Sequence, residues 1–435
     1  MIIILFFFVL TLTYSLVVPT YESPDEGAHL AYALFLQQHA ALPNLNDMSP
    51  AANPCISYPC EAWEPPLYYA ILGGVASLYG IREMVPFTPN PNGQGIFLYL
   101  HGRSDVFPFL DGPLQIHFLR LTSIPFGIGT IVITYELAVL IGASRKTALL
   151  AAALNSLIPQ FAFISGMINN DPVSIFLCSL GIYFATRILI GRSSNVTLDG
   201  VYLGLAIGLA TITKVIVAPL AAIILFSLLL KTIRDHSLLR TTAAFTMLTA
   251  AIGGWWYARN LLLYKDISGG FAATNSLTPN LTYANFFGTM PRTYYFLNYD
   301  IPTFTNTFFG ILGARFVPLN PTFYLILETI FGAALLSAVG YVFESSQKRT
   351  RWVFIFLLAI PLGLLVLHIA TSYFSPQPQG RQLFPGIGPI CALAAIGLNR
   401  ILPLKNKATA GIQAIILLLM IAANAYLIFT YATAI

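Results

Sequence analysis

Charge is what this chain has least of. Only 9% of its 435 residues are Asp, Glu, Lys or Arg, while 57% are hydrophobic. A soluble domain carries about 25% charged residues. That scarcity excludes a water-solvated globule and makes the bilayer the solvent for most of the chain. The net charge of +5 is small, and no basic run or RNA-binding motif occurs, so nucleic acid is not an expected partner. Cysteine is scarce too. Cys178 and Cys391 lie in apolar runs and read as packing, whereas Cys55 and Cys60 share a polar loop where a disulfide could form. A Gly-rich phosphate loop, a His-Glu-x-x-His helix and a Gly-x-Ser-x-Gly elbow are all missing, which removes the signatures of nucleotide, zincin and hydrolase chemistry.

What is present is a series of apolar runs long enough to cross a membrane, at about 2–18, 115–141, 147–168, 172–190, 198–213, 215–230, 241–258, 321–343, 352–371, 383–399 and 409–432. The expectation is an all-α polytopic membrane protein of about eleven transmembrane helices, folded as one integral-membrane domain over 1–435. The first run lacks a basic n-region and an A-x-A site, so it reads as an anchor. Arg145 and Lys146, Arg187 and Arg192, Lys231 to Arg240, Lys348 to Arg351 and Arg400 to Lys407 fall in alternate connections, which marks those as cytoplasmic. The exoplasmic face then carries two long loops, about 19–114 and 259–320. Two helical patches in the first, Pro24–Gln38 and Pro65–Gly80, read as amphipathic helices lying on the membrane surface.

The ionisable residues of that face sit at helix ends. Ser23-Pro24-Asp25-Glu26 has the pattern of a capping box with Pro at the first helical position, which accounts for Glu26. Asp25, His29, Tyr32 and Leu36 recur at helical spacing and share another face. Glu64 stands before two prolines at the entrance to the second patch, and Asp171 begins a span after an Asn-Asn turn. Both also suit simple compensation of a helix dipole. Lys214 interrupts an apolar stretch between two short runs, where a lysine costs about 2.5–3.5 kcal/mol and needs a cavity or a partner. Arg259 and Arg381 flank other spans on the same side. Carboxylates can take a proton or hold a divalent ion, and cations can neutralise a phosphate leaving group.

This order of an Asp-Glu first loop, a "PPLYY" helix, an Asp-Pro at the fourth span and a "TK" turn resembles the GT-C superfamily of membrane glycosyltransferases. It is similar to the aminoarabinose transferases, the protein O-mannosyltransferases and a bacterial branch with a "PDE…H" first loop. "WWYARNLLLYKD" and "QGRQLFP" are similar to that branch. The resemblance implies a catalytic first-loop acid at Asp25 and a second acidic position at Asp171. The Glu of the family's Glu-Lys-Pro element falls at Glu64, but Pro65 stands where the Lys would be. Lys214, Arg259 and Arg381 are then left to bind the donor phosphate.

The implied activity is inverting transfer of a sugar from a polyprenyl-phosphate-linked donor to a glycan, lipid or protein acceptor. It would run on the exoplasmic side of the plasma or inner membrane, with Asp25 as general base. A divalent metal (Mg, Mn or Zn) held by Glu64, Asp171 and His29 is a further expectation. The rival reading is a non-catalytic carrier, flippase or export subunit for lipid-linked sugar. The crowding of ionisable residues on one face favours the enzyme, because a carrier needs polar groups along both half-channels.

Overall fold

A computed structural model describes residues 1–47, 49–56, 60–91, 97–270, 283, 287–313, 317–344 and 348–434. Part of the loop expected over 259–320 therefore lies outside the described residues. The described chain is α-helical apart from one short antiparallel pair, Ile311–Leu312 with Val317–Pro318, and an isolated bridge between Pro89 and Tyr99. Its helices are α1 (Ile2–Val17), α2 (Glu26–His39), α3 (Leu67–Leu78), α4 (Asp111–Arg120), α5 (Ile124–Leu140), α6 (Arg145–Leu157), α7 (Pro159–Ile164), α8 (Asp171–Ile190) and α9 (Val196–Thr211). They continue as α10 (Ala218–Arg234), α11 (Leu239–Tyr264), α12 (Arg292–Tyr295), α13 (Ile301–Phe309), α14 (Pro321–Glu344), α15 (Lys348–Phe374), α16 (Ile387–Ile401) and α17 (Lys407–Ala434).

Seven helical segments among the described residues are long and apolar enough to cross a membrane: Asp111–Leu140, Asp171–Ile190, Val215–Arg234, Pro321–Gly340, Thr350–Phe374, Gly380–Ile401 and Lys407–Ala434. The protein is thus an all-α integral membrane protein. Four of the expected runs take other forms, each for a local reason. Ile2–Val17 and Val196–Thr211 are apolar but short. The run at 147–168 breaks at Ile158, whose extended backbone (φ −64°, ψ 113°) is what the following Pro159 demands. Helix α11 is long enough, but four threonines, Arg259 and Asn260 dilute its apolar character.

Small residues set the packing of α9. Gly200, Gly204 and Gly208 lie a turn apart and abut Thr241, Phe245 and Ile252 of α11, so closely that a Cβ at the first two would collide. Such a stripe lets two helix backbones approach where no hydrophobic force drives them together.

Helices α2 and α3 pack on one another. Helix α2 is buried by the rest of the protein from Leu30 through Phe35. Its last turn is tied to the chain just after α3, where Gln37 and Gln38 donate to the carbonyls of Ile81 and Arg82.

The bundle is polar along its length. Asp171 and Arg187 stand at opposite ends of α8, roughly 24 Å apart at 1.5 Å per residue. Lys214 precedes α10, while Lys231 and Arg234 occupy its last turn. One end of the bundle therefore gathers the carboxylates with their cations, and the other bears the basic flanks.

Candidate active site

Asp25 is the N-cap of α2 and has φ 62°, in the left-handed region that Asp tolerates better than most residues. The capping box expected from Ser23 to Glu26 is not formed. The helix begins at Glu26, Asp25 makes no side-chain cap, and the Ser23 hydroxyl is buried without a partner. Glu26 is taken instead by a tertiary contact. Its two oxygens accept from Arg120 Nε and Nη2, both at 2.7 Å, and also from the amides of Tyr21 at 3.0 Å and Ile168 at 3.3 Å. The remaining Arg120 donors reach the carbonyls of Ser15, Val18 and Pro19. A bidentate, fully buried guanidinium outcompetes one backbone amide for a carboxylate. This pair ties the end of α1 to α2 and α4 and fixes the turn that presents Asp25.

Asp25 Oδ2 accepts from Arg381 Nη2 at 2.9 Å, and Arg381 Nη1 donates to Asp171 Oδ2 at 3.3 Å. Asp171 Oδ1 accepts from Lys214 Nζ at 2.5 Å, and Lys214 also reaches Asn170 Oδ1 at 3.2 Å. Two acids and two bases thus alternate from Asp25 to Lys214. Asp25 is 46% exposed, and what it is exposed to is a cavity of about 700 Å³ also lined by Arg381, Gln160, Thr307 and Tyr99. Burial alone would push its carboxyl up. Arg381, with Lys214 behind it, outweighs that and holds it below the ordinary 3.8, so it is an ionised base.

His29 lies one turn along α2, its Nδ1 3.0 Å from Tyr69 Oη and its ring stacked on that of Tyr69. Tyr32 packs on the same ring at 4.1 Å, so the face predicted for His29 and Tyr32 is real and meets α3. Burial brings the imidazole down to about 3 despite the pull of Asp25, with Lys214 and Arg381 adding to the fall. It is neutral at physiological pH.

Glu64 is buried, and its Oε2 accepts from the amide of Val215 at 3.1 Å, fixing the turn that carries Lys214. Burial raises it to about 7, partly countered by Lys214. Glu61, one turn earlier, is raised well above its ordinary value by burial and by Asp25 and Glu64. Sequence reasoning passed over Glu61, although it shares the Cys-Glu-Ala-Trp-Glu stretch with Glu64. It also passed over Asn170 and Tyr69, which are joined at 3.4 Å.

Arg259 is not brought into this cluster. Its guanidinium donates to the carbonyl of Pro43 and lies over the rings of Trp256 and Tyr264. The expected metal trio does not converge either: among the described residues no three His, Cys, Asp or Glu side chains could hold an ion together. Both oxygens of Asp171 carry cations, and His29 faces Tyr69. With Glu64 taken up by the amide of Val215, these three donors do not fit a divalent ion. Cys55 and Cys60 form a disulfide, with Cα atoms 5.0 Å apart, while Cys178 and Cys391 are free and buried.

Above the cavity, Glu22 accepts from the amides of Leu98 and Tyr99, both at 2.9 Å, and from His101 Nε2 at 2.8 Å. His101 Nδ1 is 3.2 Å from Asp105, which also accepts from Thr20 at 2.6 Å. This clamp holds the chain around 97–105 against the start of the first loop.

With that geometry in view, similarity to known proteins is informative. Residues 107–264 match the family of dolichyl-phosphate-mannose-protein mannosyltransferases. No curated protein matches the sequence. Among solved structures, ArnT from Cupriavidus metallidurans in the apo state superposes with a TM-score of 0.55 at 15% identity, covering 95% of this chain and 61% of that one. The same protein bound to undecaprenyl phosphate gives 0.55 at 16%, with coverages of 95% and 62%. The Archaeoglobus fulgidus oligosaccharyltransferase gives 0.56 at 13%, covering 99% of this chain and 56% of its own. This chain therefore spans about three fifths of the length of the structures it resembles. It is an integral membrane protein that shares the fold of these structures and whose residues 107–264 match the mannosyltransferase family.

Proposed function

We propose that the protein is a GT-C glycosyltransferase that moves a sugar from a polyprenyl-phosphate-linked donor to an acceptor hydroxyl. The reaction inverts the anomeric centre and runs on the exoplasmic face of a plasma or inner membrane. One observation carries the reading: a cavity-facing, ionised Asp25 stands 2.9 Å from Arg381, in line with Asp171 and Lys214. A base and a phosphate-binding cation thus adjoin one another at the end of the bundle where positive-inside counting puts the exterior.

In this mechanism Asp25 accepts the proton of the acceptor hydroxyl as its oxygen bonds to the anomeric carbon. The bond from that carbon to the phosphate oxygen breaks, and its electron pair leaves with the polyprenyl phosphate. Arg381, with Lys214 behind it, stabilises the leaving charge. Asp171 holds the two cations at the right spacing. Arg259 has no part in it, and Glu64 acts by fixing the Lys214 turn.

The test is equilibrium binding of undecaprenyl phosphate to the purified full chain, with undecaprenol as control. Arg381→Gln and Lys214→Gln should each weaken phosphate-lipid binding about tenfold or more, the scale of a charge-assisted hydrogen bond. Equal binding of undecaprenol, or unchanged binding by both variants, refutes the reading.

A further inference from the structure

Arg381 lies in a tight 3₁₀ segment, Gly380–Gly386, and both of its neighbours in sequence are anchored by hydrogen bonds to other elements. The Gly380 amide donates to Thr307 Oγ1 at 2.7 Å, and a Cβ at Gly380 would run into the backbone of Phe304 and Phe308. On the other side, Gln382 Oε1 meets His368 Nδ1 at 2.8 Å, and His368 Nε2 meets Asp300 Oδ2 at 2.8 Å. Asp300 Oδ1 accepts from Ser372 Oγ at 2.6 Å and from Tyr295 Oη at 2.9 Å. Phe304 stacks on the His368 ring at 4.0 Å. Asp300, His368 and Ser372 are all at least 98% buried. None of them touches Asp25, Asp171 or Lys214.

A buried carboxylate at a junction of helices is costly unless it is fully paired. This one is paired by three side chains, and one of those passes the connection on to Arg381's neighbour. We propose that Asp300, His368 and Gln382 form a positioning relay that fixes the Arg381 guanidinium between Asp25 and Asp171. Its role is to set the geometry of the phosphate-binding cation, with no contact of its own to substrate. The fork of Arg381 spans two carboxylates on different elements, so a small turn of the 3₁₀ segment would break one of the two contacts. The inference rests on the proposed phosphate-binding role of Arg381.

The experiment is a double-mutant cycle on undecaprenyl phosphate binding by the full chain. Gln382 is only half-buried, so Gln382→Ala is the variant least able to disturb folding; Asp300→Asn and His368→Asn are its deeper counterparts. Gln382→Ala should weaken binding about five- to tenfold, the scale of one lost buried hydrogen bond. In the Arg381→Gln background, Gln382→Ala should add nothing, because a residue that acts only through Arg381 is silent once Arg381 is gone. A purely structural lesion would multiply the losses instead. Multiplicative losses, or wild-type binding by Gln382→Ala beside a weakened Arg381→Gln, overturn the relay and leave the phosphate role standing. Wild-type binding by Arg381→Gln overturns both.

Discussion

Replacing Glu26 by Gln probes a fully buried ion pair, with Arg120. The change is nearly isosteric and removes one charge from a contact with no solvent exposure on either partner. Arg120 would keep its three carbonyl acceptors but lose its counter-charge, and one of the oxygens that accept from it would become an NH₂ facing a donor. Breaking a buried pair by removing one partner typically costs about 3–5 kcal/mol. Against a total stability of about 5–15 kcal/mol this is a large fraction. Thermal unfolding in detergent should therefore show a midpoint lower by several degrees. Glu26→Gln combined with Arg120→Met should recover part of the loss, since the stranded charge is then gone. A Glu26→Gln midpoint within a degree of wild type would refute the argument, because it would mean that water or another group compensates Arg120.

Three further outcomes follow from the same structure. His101 is raised to about 9, its hydrogen bonds to Asp105 and Glu22 outweighing burial. The clamp is thus at full strength below the unfolded value of 6.5 and is lost as pH rises through about 9. The displacement corresponds to roughly 3 kcal/mol at 1.36 kcal/mol per pH unit, discounted to about 1–2 for partial hydration of the loop. Proteolysis of the 97–105 region should accelerate above pH 9, and His101→Phe should abolish that dependence. Glu64 has the same sign in a lower pH window: raised by burial to about 7, it binds its proton more tightly folded than unfolded. Stability therefore falls as pH rises from about 4.5 through 7, and Glu64→Gln should flatten the thermal midpoint between pH 5 and 8. Finally, Arg259→Lys should leave undecaprenyl phosphate binding within about twofold, as expected for a residue remote from the phosphate cations; a tenfold loss would restore it to the site.

How much of this was legible in the sequence depends on the range of each interaction. The long apolar helices were, because continuous hydrophobicity is a local property. Asp25, Asp171, Lys214 and Arg381 were visible as exceptions, since a charge in so apolar a chain needs a partner, and the structure brings these four together. Glu26 was misread because Ser-Pro-Asp-Glu satisfies a local capping rule, while its true partner, Arg120, is 94 residues away. Arg259 looked equivalent to Arg381 because both end an apolar run, yet the rings of Trp256 and Tyr264 hold one and two carboxylates hold the other. Asp300 and His368 carried no local pattern at all; they meet only through the packing of α15 against the start of α13.

The central claim is that Asp25 is the base of a sugar transfer. The most direct test is transfer by purified protein in liposomes from an undecaprenyl-phosphate-linked sugar, comparing wild type with Asp25→Asn. Asn accepts the left-handed backbone at this position, and an exposed ion pair is worth about 0–1 kcal/mol, so the variant should fold normally. The account predicts turnover lower by about 10²–10⁴ with undecaprenyl phosphate still bound. Wild-type turnover by a folded Asp25→Asn protein would contradict it.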